Sequence, residues 1–480
     1  MLMCTAFEND MPHPTQPPEN ARGSDSSNPA REHFEALRAA LDVPDANAPM
    51  RALGSGSGAL DWAASGAMSL TGRADGPPRL AAGAVASAAI AAGALIESLS
   101  PAVAARSIDW AALLGERAAL FGHTRDGLRT GGGSGRLLEA RDGWLAIQLP
   151  RDEDWRSLAA WLELEGDAPV ESEAGWATIE QAVAAGHVVP LVDRARLLGL
   201  ACAPAPHTPI VDAPLFRWCA ESETAARSAP RPLRVLDLST LWAGPLAASL
   251  LADAGASVLK IESPSRPDGA RRGPRAFFDL VNANKHGAAL DLRDANDRTR
   301  FESLLDQADV VVESARARAM RQLGYDAEGW VGERPGRIWC SITGYGRQQE
   351  WIAFGDDAAV AAGLAWSPDR SDDAPCFCGD ALADPLTGLH AAAAILALAR
   401  RARGGLLDLA LCDVAAASAA VPIDATQAGL IGDVDGGDQL RVGDASTPVA
   451  APRSRSGVGS APPLSAPTAG TIAAWADAAC

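Results

Sequence analysis

The chain has 480 residues, is 48% apolar, and sets 42 Lys and Arg against 60 Asp and Glu for a formal net charge of −18. That composition is globular and long enough for two or three domains, and its sign argues against nucleic acid or an anionic membrane as the main partner. No apolar run approaches the roughly 18 residues that a membrane-spanning helix needs.

The N-terminus shows no basic stretch followed by an apolar core, so no secretory signal is expected and the expected location is cytoplasmic. Eight cysteines and seven histidines follow no metal-ligand spacing. Only Cys376 and Cys378 lie close together, with no further Cys or His pair nearby. No metal site is expected, and free thiols fit a reducing compartment.

In chain order, residues 1–30 are rich in Pro, Asn, Ser and charge and are expected to be disordered. Residues 31–125 form a helical segment with long small-residue runs, such as AAGAVASAAIAAGALIES at 81–98. Residues 126–205 read as a small domain. It opens on the glycine run RTGGGSG, continues into a hairpin turning at Asp142-Gly143, and then a helix starting near Asp152 to Asp154. Residues 206–232, with several prolines, read as a linker. Residues 428–480 form a C-terminal segment rich in Gly, Ser and Pro that ends in a short helix.

Residues 233–427 alternate apolar runs with helical patterns. Strands are predicted at Val235–Leu238, Val258–Ile261, Ala288–Leu292, Val310–Glu313 and Ile338–Ile342, and helices at 245–254, 295–307 and 315–322. This spacing predicts an α/β fold: a Rossmann-like, mostly parallel sheet with helices on both faces, beside the smaller α+β domain. The turn after the first strand, LWAGP at 241–245, opens a helix and lacks the GxGxxG spacing of a dinucleotide site. Pro245 suits a first helical turn. Residues 60–93 also echo the region 356–399, where alanine bias generates part of the likeness.

Several segments then line up with one family. VLDLSTLWAGPLAASLLADAGASVLKIESP, NANKHGAALDLR, ADVVVESARARAMRQLGY, IWCSITGYG, FGDDAAVAAGL and GDALADPLTGLHAA occur in the order of the family III CoA-transferases, the CaiB/BaiF family, which the chain resembles. The resemblance covers 233–413 strongly, and the glycine run with its hairpin resembles the family's glycine loop and small domain. Module order departs from the family pattern, because the small-domain-like part comes first. Two readings follow: a complete set of parts in permuted or partly duplicated order, or a decayed N-terminal copy that serves structure alone.

The resemblance implies CoA transfer from an acyl-CoA thioester to a free carboxylic acid, through an aspartyl anhydride and an aspartyl-CoA thioester at Asp384. From local pattern alone, Asp384 also reads as a helix N-cap. Gly131, Gly132 and Gly133 are implied to hold a developing oxyanion and exclude water, and a plain linker is the other reading. The implied CoA contacts are Trp242, Ala243 and Gly244 in the turn, Leu290, Asp291, Leu292 and Arg293 beside the third strand, and Ser314, Ala315 and Arg316 after the fourth. The family's Asn-Phe is Ser314-Ala315 here, and a frequent arginine is Gln322. No cofactor is implied beyond coenzyme A as substrate and product. The partners implied are acyl-CoA and carboxylic acid, with a homodimer as assembly. The family's racemases carry a His in a GHD-type segment where this chain has Gly355-Asp356-Asp357. A 2-methylacyl-CoA racemase and a non-catalytic CoA-binding subunit are the alternatives. The apolar neighbourhood of Asp384 and the lack of a conspicuous cationic clamp point away from a dicarboxylate such as oxalate.

Overall fold

A computed structural model describes residues 28–48, 52–222, 231–368, 374–423, 428–432, 437–457, 459–464 and 468–477. The expected disorder of 1–30 falls outside this range except at its end. There the helix Pro29–Ala40 begins, capped by the Asn28 side chain on the Arg31 N–H.

The main sheet has seven strands in the order β4-β10-β9-β8-β5-β6-β7. β5 (Arg234–Asp237), β6 (Ser257–Glu262), β7 (His286–Ala289), β8 (Val310–Glu313), β9 (Ile338–Thr343) and β10 (Gly404–Ala410) all run parallel. The third strand is shorter than expected and leaves Leu290–Arg293 as a turn beyond its carboxyl end. β4 (Arg217–Ser222) joins β10 antiparallel at the edge. The segment 206–232, expected as a linker, therefore contributes a strand. Its sequence hid this because an edge strand is half exposed and carries no clean alternation.

The chain runs from β5 to β6 and β7 on one side, then returns to place β8 on the other side of β5. That reversal makes the β5/β8 gap a topological switch point, where open parallel sheets form a crevice at their carboxyl ends. There the Ser314 Oγ accepts the Thr240 N–H at 3.0 Å, joining the two turns.

The helix Ala383–Arg400 is buried on nearly every face. It packs between Ala243–Asp253, which follows β5, and Val85–Leu99 of the N-terminal segment. Small residues permit that close approach: a β-carbon on Gly388 would stand 2.7 Å from the Ala243 carbonyl oxygen and 3.1 Å from the Leu246 β-carbon. The two stretches noted as an internal echo both fold as a short helix followed by a long one, Gly58–Ala64 with Val85–Leu99, and Gly355–Ala361 with Ala383–Arg400.

Residues 126–205 hold a separate three-stranded sheet, β1 (Gly135–Ala140), β2 (Gly143–Gln148) and β3 (Ala201–Pro204). Its own core includes Leu145, Ile147, Trp155, Trp161 and Trp176. The hairpin pairs Ala140 with Gly143, so the turn falls on Arg141-Asp142, one residue before the expected place. The helix Asp152–Arg156 starts where expected. A last antiparallel sheet, β11 (Ala428–Gly432), β12 (Asp438–Val442) and β13 (Ala445–Pro448), precedes the helix Thr468–Asp477, which lies on β7 and buries Trp475.

Candidate functional site

Asp384 is the second residue of the helix Ala383–Arg400, and Leu382 occupies the cap position. The N-cap reading therefore fails. The Asp384 carboxylate accepts instead from two other helix starts: Oδ1 takes the Ala243 N–H at 3.3 Å, and the Gly355 N–H also donates to the carboxyl. Helix N-termini favour an anion there. Gly355 is required by this geometry, since a β-carbon would lie 2.3 Å from the Asp384 Oδ2. Asp384 keeps part of its surface open, yet protein encloses the carboxyl. That burial pushes its pKa up to about 7, against the opposing pull of Arg117 and the Ala243 N–H and with a further push from Asp356.

Three more acids surround it. Asp356 accepts the Ala381 N–H at 2.6 Å and the Gln148 amide at 3.2 Å, and burial with Asp380 nearby raises it to about 6. Burial holds Asp357 well above the ordinary carboxylate range, although its Oδ1 accepts the Phe354 N–H. Asp380 faces His123 Nδ1 at 3.1 Å and Arg117 Nη1 at 3.3 Å. Arg117 is braced by the Phe121 and Trp242 rings, at 5.5 and 6.0 Å from their centroids. The N-terminal helical segment thus brings a cation to Asp384, which corrects the expectation that none stands nearby.

Arg117, His123, Gln148 and Asp380 were missed at the level of sequence. Asp380 lay inside the quoted GDALADP motif. The other three carry no local signal, because only tertiary packing brings them to a turn more than 200 residues away.

The glycine loop is at this site within one chain. A β-carbon on Gly131 would come within 2.8 Å of His123, and one on Gly132 would stand 3.7 Å from Arg117 Nη2. Gly131, Gly132 and Gly133 are exposed, and Gly133 adopts φ +74°.

The residues expected around CoA gather along the carboxyl ends of β5, β7 and β8. Trp242 and Leu290 are 2% and 1% exposed, so neither side chain presents a surface to a ligand and both anchor their turns. Ala243 gives its N–H to Asp384, and a side chain on Gly244 would collide with Ser239. Arg293 is exposed and bound to its neighbour Asp291, while Leu292 is half-buried. Ala315 donates its N–H to Glu313 at 2.7 Å and Ser314 bridges to Thr240. Arg316 is pushed below the ordinary arginine range by partial burial and by Arg151, Arg318 and Arg266. Like charges brought together at a strand end favour an anion. Arg151 comes from the small domain, so that domain reaches the same mouth.

Beneath the LWAGP turn lies a second charged cluster. Lys285 Nζ meets Asp237 at 2.7 Å and also donates to the Pro245 carbonyl, while Lys260 meets Asp268 at 2.9 Å and donates to the Ser239 carbonyl. Asp268 accepts the Leu241 N–H, and Arg271 pairs with Glu262. This lattice holds Leu241 at φ +68°, a strained backbone for a non-glycine residue. Burial disfavours the Asp237 carboxylate, yet Lys285 and Lys260 keep it below its ordinary range.

Residues 231–452 match the model of CoA-transferase family III. Among similar proteins is a succinate–glutarate CoA-transferase of Agrobacterium fabrum, 31% identical over 205 residues, covering 38% of this chain and 51% of the relative. A succinyl-CoA:mesaconate CoA-transferase of Haloarcula hispanica is 34% identical over 202 residues, with the same coverage of 38% and 51%. Among solved structures, a CaiB/BaiF family protein from Brucella suis is 29% identical, with 41% of this chain and 57% of that chain covered and a TM-score of 0.36. The chain spans about half the length of the curated relatives it matches. Among the described residues, no helix is long and apolar enough to cross a membrane, and no group of three or more His, Cys, Asp or Glu could hold a metal ion.

Proposed function

We propose that the protein moves CoA from an acyl-CoA thioester to a free carboxylic acid, with Asp384 as the nucleophile. The observation that carries this reading is the seat of Asp384: a carboxyl with a pKa of about 7, fixed by the Ala243 and Gly355 N–H groups, inside the segment that matches the family. The Asp384 carboxylate attacks the thioester carbonyl, the C–S bond breaks, and CoA leaves as thiolate with the aspartyl anhydride left behind. The thiolate then attacks the aspartyl carbonyl, which releases the first acid as carboxylate and leaves aspartyl-CoA. The incoming carboxylate repeats these steps in reverse. The two helix-start N–H groups and Arg117 stabilise negative charge during each exchange. Gly131, Gly132 and Gly133 cover the anhydride and keep water from it.

In this reading the LWAGP turn with Ala243 and Gly244, the turn Leu290–Arg293 and the turn Ser314–Arg316 hold CoA, and the arginines around Arg316 take its phosphates. The parts are in permuted order: the helical segment 31–125 and the small domain 126–205 precede the α/β domain 233–427 and close over it. The resemblance also implies a homodimer, which light scattering would check, and a cytoplasmic location. A labelled carboxylate incubated with assorted acyl-CoAs should enter the CoA ester, and Asp384→Ala should abolish this. Full exchange by the variant, or none by the wild type with any pair, overturns the proposal.

A second reading draws on the His123–Asp380 pair beside Asp356: proton exchange at the α-carbon of an acyl-CoA. Deuterium wash-in without carboxylate exchange would select it.

A further inference from the structure

The transfer chemistry proposed above leaves two side-chain pairs around the acidic turn without a role: His123 with Asp380, and Gln148 with Asp356. Each joins one end of the glycine loop to the residues just ahead of Asp384. At the first end, Gly131 packs directly on His123, where a β-carbon would stand 2.8–2.9 Å from the His123 Cβ, Cγ and Nδ1. His123 Nδ1 in turn lies 3.1 Å from Asp380 Oδ1. At the second end, Ser134 Oγ donates to Gln148 Oε1 at 3.3 Å, and Gly135 lies so close that a β-carbon would be 2.6 Å from the same oxygen. Gln148 Nε2 donates to Asp356 Oδ2 at 3.2 Å, and Asp356 Oδ1 accepts the Ala381 N–H at 2.6 Å.

Between these anchors the loop closes on itself, with the Gly133 N–H on the Thr130 carbonyl at 2.8 Å. Its tip is unpacked, since no atom lies within 4 Å of a β-carbon on Gly133. The loop is fixed at both ends to the turn 380–384 and free only at its tip. At Gly131 the contact is with the stem and ring of His123, so no side chain fits there and the loop lies directly on that residue.

We propose that His123 and Gln148 are positioning residues that hold the glycine loop over Asp384 and thereby set how the acyl-aspartyl anhydride partitions between transfer and hydrolysis; this rests on the transfer reading above. In hydrolysis, a water oxygen bonds to the acyl carbonyl carbon, and the bond from that carbon to the Asp384 oxygen breaks. The electron pair returns to Asp384 as carboxylate, and the free acid and a proton are released. The thioester is lost with no new one formed. A loop anchored at both ends admits a carboxylate or thiolate at its open tip but shields the anhydride from bulk water. A loop cut from either anchor does not.

The test is the ratio of free acid released to CoA ester transferred, measured with an acyl-CoA donor and a labelled carboxylate acceptor. His123→Ala and Gln148→Ala should each raise the ratio about tenfold, and the double variant further, while His123→Gln, which keeps a donor of similar reach, should recover part of it. Backbone hydrogen exchange over 130–135 should quicken in the same variants, and this reading needs no activity. Transfer and hydrolysis falling in proportion, with unchanged exchange in the loop, would overturn the proposal. A wild type that transfers CoA to no acid sinks the transfer reading instead, and the loop exchange then still decides whether His123 and Gln148 anchor it.

Discussion

Two buried charge clusters lie on either side of the helix start at Ala243, and they are built on opposite terms. Below the LWAGP turn, Asp237, Glu262 and Asp268 face Lys260, Lys285 and Arg271, each acid with a cation at 2.6–2.9 Å. Above it, Asp356, Asp380 and Asp384 share Arg117, with His123 beside Asp380 and Asp357 beside Asp356. The balanced cluster holds Asp237 and Glu262 below the ordinary carboxylate range. In the acid-rich cluster, burial outweighs the single guanidinium and lifts Asp356 to about 6 and Asp384 to about 7. Matched charges fix a backbone. Surplus acids leave a carboxyl that exchanges its proton near neutrality, which suits chemistry better than support.

Four measurements put that contrast to the test. The largest effect belongs to Asp384→Asn. It should lower CoA exchange by about 10⁴-fold or more while leaving the fold intact, read by exchange assay and circular dichroism. Lys285→Met should do the reverse. It strands Asp237 without its closest cation, and denaturant unfolding should show a loss of about 3–5 kcal/mol. Equal destabilisation by both variants would erase the distinction between the clusters.

The third measurement is pH dependence. In the proposed reaction the ionised Asp384 is the nucleophile, so kcat/KM should fall tenfold per unit as pH drops below about 7. Stability has the opposite sign. The folded state holds protons on Asp384 and Asp356 more tightly than the unfolded chain, so their contribution is greatest below the unfolded carboxylate range. It is lost as pH rises through about 6 and 7. Asp384→Asn should therefore unfold less readily than the wild type at pH 8, by about 1–3 kcal/mol.

The smallest effect separates two arginines of the mouth. Arg316→Ala should raise KM for the CoA ester about tenfold and flatten its salt dependence, since this guanidinium stands among like charges. Arg293→Ala should change KM less than about threefold, because Asp291 already occupies that exposed side chain.

The parts of the molecule that were legible in the sequence share one property: their signal is local. The apolar runs at 235–238, 258–261 and 310–313 became β5, β6 and β8 because a strand buried on both faces must be apolar throughout. Pro245 and the small residues around it marked the helix start at Ala243. Asp384 stood out through its motif. What stayed hidden was assembled by packing. Nothing near Arg117, His123 or Gln148 announces that the helical segment and the small domain fold back onto the turn 380–384. A run of three glycines says that a loop is thin, and the seat it occupies depends on His123 and Gln148 far along the sequence. Likewise β4 lies in a proline-rich stretch and becomes a strand only by pairing with β10, whose residues come nearly two hundred positions later.

The packing of Val85–Leu99 on Ala383–Arg400 carries a consequence for biosynthesis. The first of these helices leaves the ribosome about three hundred residues before the second, so its alanine face has no partner through most of translation. The small domain, with a core of its own, is free to fold during that interval. The loop, its anchors and the guanidinium that faces the acids are therefore made first. Asp384, the proposed nucleophile, arrives late, into surroundings already shaped to receive it, and a ribosome that stalls before residue 384 releases a chain with the loop and its anchors but not that carboxyl.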